Sequence, residues 1–190
     1  MRIFHKNFKS IHFKEILNSW GFSWKGLIHN SSGEWLLCSQ ISIILCHLIP
    51  PFSLQLTIIK EQMSWNIALA YISGMILVSS FIRAYKALIS LGGSLSPLPK
   101  PKLEGTLRTK GSYRNCRHPI YQSIILCSLA INIYLLSAFH MILFFLLCII
   151  LRKKALYEEK ELKVIHKEYN KYISETPAIV PGILLLDWRE

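Results

Sequence analysis

Trp65-Asn-Ile-Ala-Leu-Ala-Tyr-Ile-Ser-Gly-Met-Ile-Leu-Val-Ser-Ser-Phe-Ile-Arg-Ala-Tyr-Lys-Ala-Leu-Ile-Ser-Leu91 contains no acidic residue, and its only cations are Arg83 and Lys86. Wound as a helix it extends about 40 Å, more than the hydrocarbon core of a bilayer. Arg83 and Lys86 mark where it leaves the hydrocarbon, because their long stems carry the charge out to the headgroups. Gly92-Gly93 then ends it. The whole chain has the same character: of 190 residues 52% are hydrophobic and 17% charged, with a mean hydropathy of +0.34. Apolar residues come in blocks rather than at a helical or strand period. That pattern predicts an all-α integral membrane helical bundle in one domain.

Outward from this run, Trp35 to Ile59 is a second apolar stretch interrupted by Pro50-Pro51. The prolines remove backbone donors and must bend or break it. Ile120 to Leu136 and Ala138 to Leu151 predict a helical hairpin, each arm roughly 20–25 Å long. Ser123, Ser128, Ala130 and Ser137 would let its helices approach closely, while Asn132 reads as an interhelical hydrogen-bonder and His140 as an interfacial residue at the hairpin tip. Arg152-Lys153-Lys154 stops the last run. Ala155, Glu158, Leu162, Ile165, Tyr169 and Tyr172 recur at three- and four-residue steps, so the helix is expected to continue to Tyr172. Residues 174–190, with Pro177, Pro181 and the apolar Ile183 to Leu186, read as a strap that packs back on the domain or touches the membrane interface.

At the other end, residues 1–34 form a basic, aromatic interfacial segment. Phe4, Phe8, Ile11 and Glu15 have helical spacing, and Trp20 and Trp24 can anchor at a bilayer surface; a partly ordered tail fits the same residues equally. No apolar core of signal-peptide length is present, so no cleaved leader is expected. The membrane domain proper is 35–190.

A net charge of +11 suits anionic headgroups. It does not suggest nucleic acid, because the cations flank apolar runs instead of forming a stripe with aromatics. Five Lys and Arg lie in 1–34, six in 92–119 and eight in 152–190, against Lys60 alone in the opposite connections. Four to five hydrophobic helices with both termini cytoplasmic place every basic segment on one side. The five cysteines have no paired spacing, so neither a disulfide framework nor a metal site is expected.

The loop Leu103-Glu-Gly-Thr-Leu-Arg-Thr-Lys-Gly-Ser-Tyr-Arg-Asn-Cys-Arg-His-Pro-Ile-Tyr121 carries the candidate chemistry. Gly105 and Gly111 permit turns and close approach to a ligand. Arg108, Arg114, Arg117 and His118 could converge on a carboxylate or phosphate, or could simply meet lipid headgroups. Glu158 and Glu159, one turn beyond the stop sequence, would complete a site for a molecule bearing both signs if the fold brings them to the loop.

Gly111-Ser-Tyr-Arg-Asn-Cys-Arg-His-Pro-Ile-Tyr121, an apolar hairpin, Glu158-Glu-Lys-Glu-Leu162 and Tyr169-Asn-Lys-Tyr172 ending at Pro181 resemble the isoprenylcysteine carboxyl methyltransferase family, with the related phospholipid methyltransferases. The resemblance covers about residues 92–181. It implies an integral membrane enzyme that uses S-adenosyl-L-methionine without a Rossmann domain. By motif position it implies cofactor contacts at Gly105, Thr106, Leu107, Arg108, Tyr113, His118, Pro119, Ile120, Tyr121, Glu158 and Glu159. It also implies catalytic parts for Arg117, on the cofactor carboxylate, and for Lys154, where eukaryotic members carry Arg near the acceptor. Lys lacks the bidentate fork of Arg. Ser123 and Leu98 are further departures, Leu98 standing where some relatives have a polar contact. The implied partner is a lipophilic methyl acceptor held among membrane lipids. The family name suggests the carboxyl of a prenylated cysteine; a phospholipid amine or a small thiol fits the residues equally, and a non-enzymatic scaffold keeping the fold is the reading from another class.

Overall fold

A computed structural model describes residues 21–51, 63–101 and 106–189, of 63–66 the backbone alone. The expected amphipathic helix around Phe4 to Glu15, the anchor Trp20, the second half of the Trp35–Ile59 run and Gly105 lie outside the described residues. Within them every regular element is helical: α1 (Trp24–His29), α2 (Glu34–Cys46), α3 (Met63–Leu91), α4 (Pro119–Leu135), α5 (Ala138–Ile165) and α6 (Tyr169–Glu175), with 3-10 turns at Gly92–Ser94 and Gly111–Arg114.

The boundaries follow from local chemistry. Ser23 caps α1 by accepting from the Gly26 amide at 2.9 Å, which satisfies one orphan donor of the first turn. Gly33, at φ 79°, turns the chain into α2. There Glu34 sits in the first turn, is buried, and accepts from the Ser32 amide at 2.8 Å. α2 ends at Cys46, short of Pro50-Pro51; its 13 residues make about 20 Å, too short for a crossing. Pro119 begins α4, at a position where its missing donor costs nothing. Leu136, in the left-handed region at φ 49°, ends it.

α3 is the one described helix long and apolar enough to cross a membrane, and only 11% of its apolar window is buried. Ser73, Ser80 and Ala87, two turns apart, form its buried seam, along which α3 lies against α4. Ser73 and Ser80 donate back to the carbonyls of Leu69 and Ile76. Much of the remaining surface, including Tyr71, Met75, Val78, Phe81 and Tyr85, is exposed and apolar, with Arg83 and Lys86 exposed toward the helix end.

α4 and α5 form the expected hairpin, and α5 runs on past Arg152-Lys153-Lys154. It does not reach Tyr172, however. His166 leaves the helix at φ −121°, ψ 106°, and Tyr169 and Tyr172 belong to α6. The bend returns Tyr169, Tyr172 and Ile173 to the protein, where all three are buried and the Tyr172 hydroxyl donates to the Tyr113 carbonyl. Burying two aromatic rings outweighs the helical hydrogen bonds given up.

The C-terminal strap packs back. The amides of Arg117 and His118 donate to the carbonyls of Pro177 and Ala178 at 2.9 and 3.0 Å. Ala178, Ile179 and Leu186 join Ile125, Leu147, Leu151 and Ala155 in the main core. This seam ties the start of α4 to the chain terminus.

Candidate functional site

The site starts from a helix property: neighbouring residues point about 100° apart. Glu158 and Glu159 therefore part company at once. Glu159 faces inward, and its Oε1 accepts from Arg117 Nε at 2.8 Å and from His118 Nε2 at 2.9 Å. Its Oε2 accepts from Trp188 Nε1 at 2.7 Å. Burial alone would raise the carboxyl's pKa, but the bonds from His118, Trp188 and Arg117 prevail and hold it at about 2.

Arg117 is spent in the same network. Its Nη1 donates to the carbonyls of Ile173, at 2.9 Å, and Thr176, and its Nη2 to the carbonyl of Trp188 at 2.7 Å. With the side chain fully buried, Nε, Nη1 and Nη2 are all committed to protein acceptors. In this fold Arg117 joins loop, α5, α6 and strap, and it also borders the clefts around Glu158. Trp188 stacks beside it, 5.8 Å from ring centroid to the Arg117 guanidinium carbon.

Glu158 turns the other way and keeps a side chain 30% exposed. Tyr121 Oη donates to its Oε2 at 3.0 Å, and His118 Nδ1 lies 3.6 Å from the same oxygen. The His118 imidazole thus stands between the two carboxylates, stacked parallel on the Tyr121 ring at 5.2 Å.

Around Glu158 open two clefts. The first, about 80 Å³, has a mixed lining edged by Thr106, Leu107, Arg108, Leu162, His166 and Tyr169. The second, about 240 Å³, is walled by apolar Leu37, Leu88, Leu95, Ile120 and Ile124, with Gln40, Tyr121 and Lys154 as its polar lining. Leu91, Ser96, Tyr113, Arg117, His118 and Glu158 border both. A drug-sized ligand needs roughly 300–1,000 Å³, so a nucleoside-sized occupant must engage both sides of this common wall.

The expected site residues fall out as follows. Thr106, Leu107 and Arg108 line the first cleft, Ile120, Tyr121 and Lys154 the second, and Tyr113, Arg117, His118 and Glu158 both. Pro119 and Glu159 border neither. Pro119 fixes the start of α4, and Glu159 holds Arg117 and His118 in place. Lys154 is 3% exposed. Its Nζ donates to Gln40 Oε1 of α2 at 2.7 Å and lies 5.3 Å from the centroid of the Tyr121 ring. Burial pushes its pKa down to about 8, against a weaker upward pull from Glu158.

Sequence reasoning missed Gln40, Ser96, His166 and Trp188. Gln40, an amide inside an apolar run, carried a usable signal. His166 carried only its place before a tyrosine pair, and Trp188 carried none. Burial raises the phenol pKa values of Tyr113, Tyr169 and Tyr172 well above the usual range, so all three remain hydroxyls. No metal-holding group of three or more His, Cys, Asp or Glu exists among the described residues.

No protein-family model, no curated protein and no solved structure matches the chain.

Proposed function

We propose that this chain is a membrane-embedded S-adenosyl-L-methionine-dependent methyltransferase acting on a lipophilic acceptor, with its site facing the cytoplasm. One observation carries the reading. The loop Tyr113–Tyr121 and the Glu158–Glu159 turn, 37 residues or more apart in sequence, meet through the Tyr121–Glu158 and His118–Glu159 bonds at the common border of the two clefts. That is the juxtaposition on which the family resemblance depends. The membrane setting draws on the apolar outer surface of α3 and the one-sided basic segments. In this reading α3 spans the bilayer, and α2, α4 and the apolar half of α5 complete a bundle of four to five helices.

The donor set suits the proposed cofactor. Glu158 offers a partly accessible carboxylate for an ammonium or ribose hydroxyl. Arg108, exposed at the cleft edge and without a partner among the described residues, joins Arg117 on the carboxylate side. Tyr113, Leu107 and Leu162 supply surface for an adenine ring. When bound, the cofactor supplies an electrophilic methyl group. The protein's own contribution is alignment and exclusion of water: His118 and Tyr121 fix the Glu158 rotamer, and the apolar walls keep the acceptor side dry. A scaffold without catalysis is favoured only by the Arg117–Glu159 network, which is fully satisfied by the protein itself.

The test is calorimetric binding of S-adenosylhomocysteine to the full chain in detergent. Wild type should bind, and Glu158→Ala should weaken binding at least tenfold. Folded wild type that binds nothing, or a Glu158→Ala variant of unchanged affinity, would remove this assignment.

A further inference from the structure

Near its end the strap closes a loop over residues 180–187 that the site does not use. The amides of Ile179 and Val180 donate to the Leu186 carbonyl at 2.9 and 3.1 Å, and those of Leu186 and Asp187 to the Ile183 carbonyl, both at 2.7 Å. Asp187 braces the loop from the side, accepting from the Ala178 and Gly182 amides at 3.2 and 3.0 Å and pairing with Arg189 at 2.7 Å. On this base Leu186 turns inward, 5% exposed, to the core that holds Leu147 and Leu151 of α5. Ile183, Leu184 and Leu185 turn outward, and Leu184 is 93% exposed, more than any other large apolar side chain described. A turn facing only water takes Gly, Asn, Asp or Ser. This one holds three adjacent aliphatic side chains away from the protein, which marks a surface for a partner.

Arg152 supplies the second observation. It opens the stop sequence, immediately beyond buried Leu151, with its guanidinium carbon 5.7 Å from the centroid of the Trp188 ring. Its Nε is buried and has no hydrogen-bond partner among the described residues, a costly state for a cationic donor. Lys153 beside it is exposed, and the acid at the loop base, Asp187, is already paired with Arg189. We propose that Ile183, Leu184 and Leu185 dip into the acyl region of the leaflet at which α5 emerges, and that Arg152 takes the phosphate of an anionic lipid seated beside them. The order along the molecule selects lipid over protein. Through Leu186 the tip is mounted on Leu147 and Leu151, and the cations follow directly on the same helix, which is the acyl-then-phosphate order of a monolayer. A guanidinium meets a phosphate with short charge-assisted bonds, so the lipid supplies the acceptor that Nε lacks. The anchor needs no occupant in either cleft, and the calorimetric test above does not bear on it.

The experiment uses the full chain in vesicles of phosphatidylcholine with about 30% phosphatidylglycerol. Leu184→Cys is labelled with the polarity-sensitive fluorophore NBD in a Cys38→Ser background, since Cys38 is the exposed cysteine, and Cys38→Ser alone sets the background signal. Leu184 touches little of the protein, so the variant should keep the wild-type Tm. Lys171→Cys, at a side chain 80% exposed on α6, is the water-facing comparison. Nitroxide lipids labelled at the fifth acyl carbon should remove about half of the emission at position 184 and little at 171, with aqueous iodide giving the reverse. Adding Arg152→Gln should cut the gain in lipid quenching from phosphatidylglycerol about twofold or more, while quenching in pure phosphatidylcholine persists. Equal lipid quenching at the two positions would overturn the anchor. So would emission at 184 shielded from iodide and nitroxide alike, the signature of a protein partner. An Arg152→Gln response equal to wild type would overturn the phosphate contact.

Discussion

Two buried ionisable side chains show what a single residue can and cannot announce in sequence. Glu158 and Glu159 are the same residue type in adjacent positions, and nothing local says which meets a ligand. The helix geometry and the distant Trp188 decide it. Because Glu159 is held at about 2, below its unfolded value near 4.3, its contribution to stability is complete above pH 4.3. It is lost as pH falls through 2. Glu159→Gln should therefore lower stability by roughly 3–5 kcal/mol at pH 7, by leaving the buried Arg117 without its anion, and flatten the acid limb of a pH–Tm curve. A wild-type curve for the variant would refute the network. His140 makes the opposite case. It is fully buried, and neither ring nitrogen has a partner at hydrogen-bond geometry among the described residues, whereas the nearby His47 bonds Ile43 and Ser128 at 2.8 and 2.7 Å. Replacing an unsatisfied polar group by an apolar one of similar size removes a penalty of about 1–3 kcal/mol. His140→Leu should raise Tm, and a lowered Tm would mean the imidazole has a partner after all.

At the scale of elements, the long apolar run and the hairpin are legible because composition over 15 or more residues overrides local detail. The end of α5 is not. Tyr169 and Tyr172 keep the helical period across the break at His166, so periodicity alone continues the helix, and only their burial against Tyr113 and Leu107 argues for the bend. The docking of α2 onto the loop before the site is equally hidden, since it depends on a glycine meeting a proline 66 positions away. A Cβ on Gly33 would lie 2.3 Å from Pro99 Cγ, and the residue sits at φ 79°. Both the clash and the left-handed backbone oppose a side chain there. Gly33→Ala should cost about 2 kcal/mol in thermal or denaturant unfolding and should loosen Gln40 from Lys154. An unaffected variant would show that α2 and the Pro97–Pro101 segment are not in register.

For the whole molecule, the candidate site is legible in sequence order and the membrane expectation in blocks of apolar composition, through different physics. The loop and the acidic turn are paired by motif spacing, and the hairpin between them has two arms of similar length, so it returns the chain to its starting side. The strap that closes Glu159 comes from beyond that motif and left no trace in it. The setting depends on α3, whose exposed surface is too apolar for water: Tyr71, Met75, Val78, Phe81, Ile82 and Tyr85 all face outward. If lipid covers that surface, Val78, near the middle of the apolar window and exposed, sits at bilayer depth. Val78→Arg should then cost about 2.5–3.5 kcal/mol in insertion, seen as a membrane fraction that carbonate extracts while wild type resists it. Arg at exposed Ile89, near the helix end, should cost far less, because its stem reaches the headgroups. Equal extraction of both variants would point to a protein partner on α3 rather than a bilayer, since a protein surface has no depth profile and lipid does.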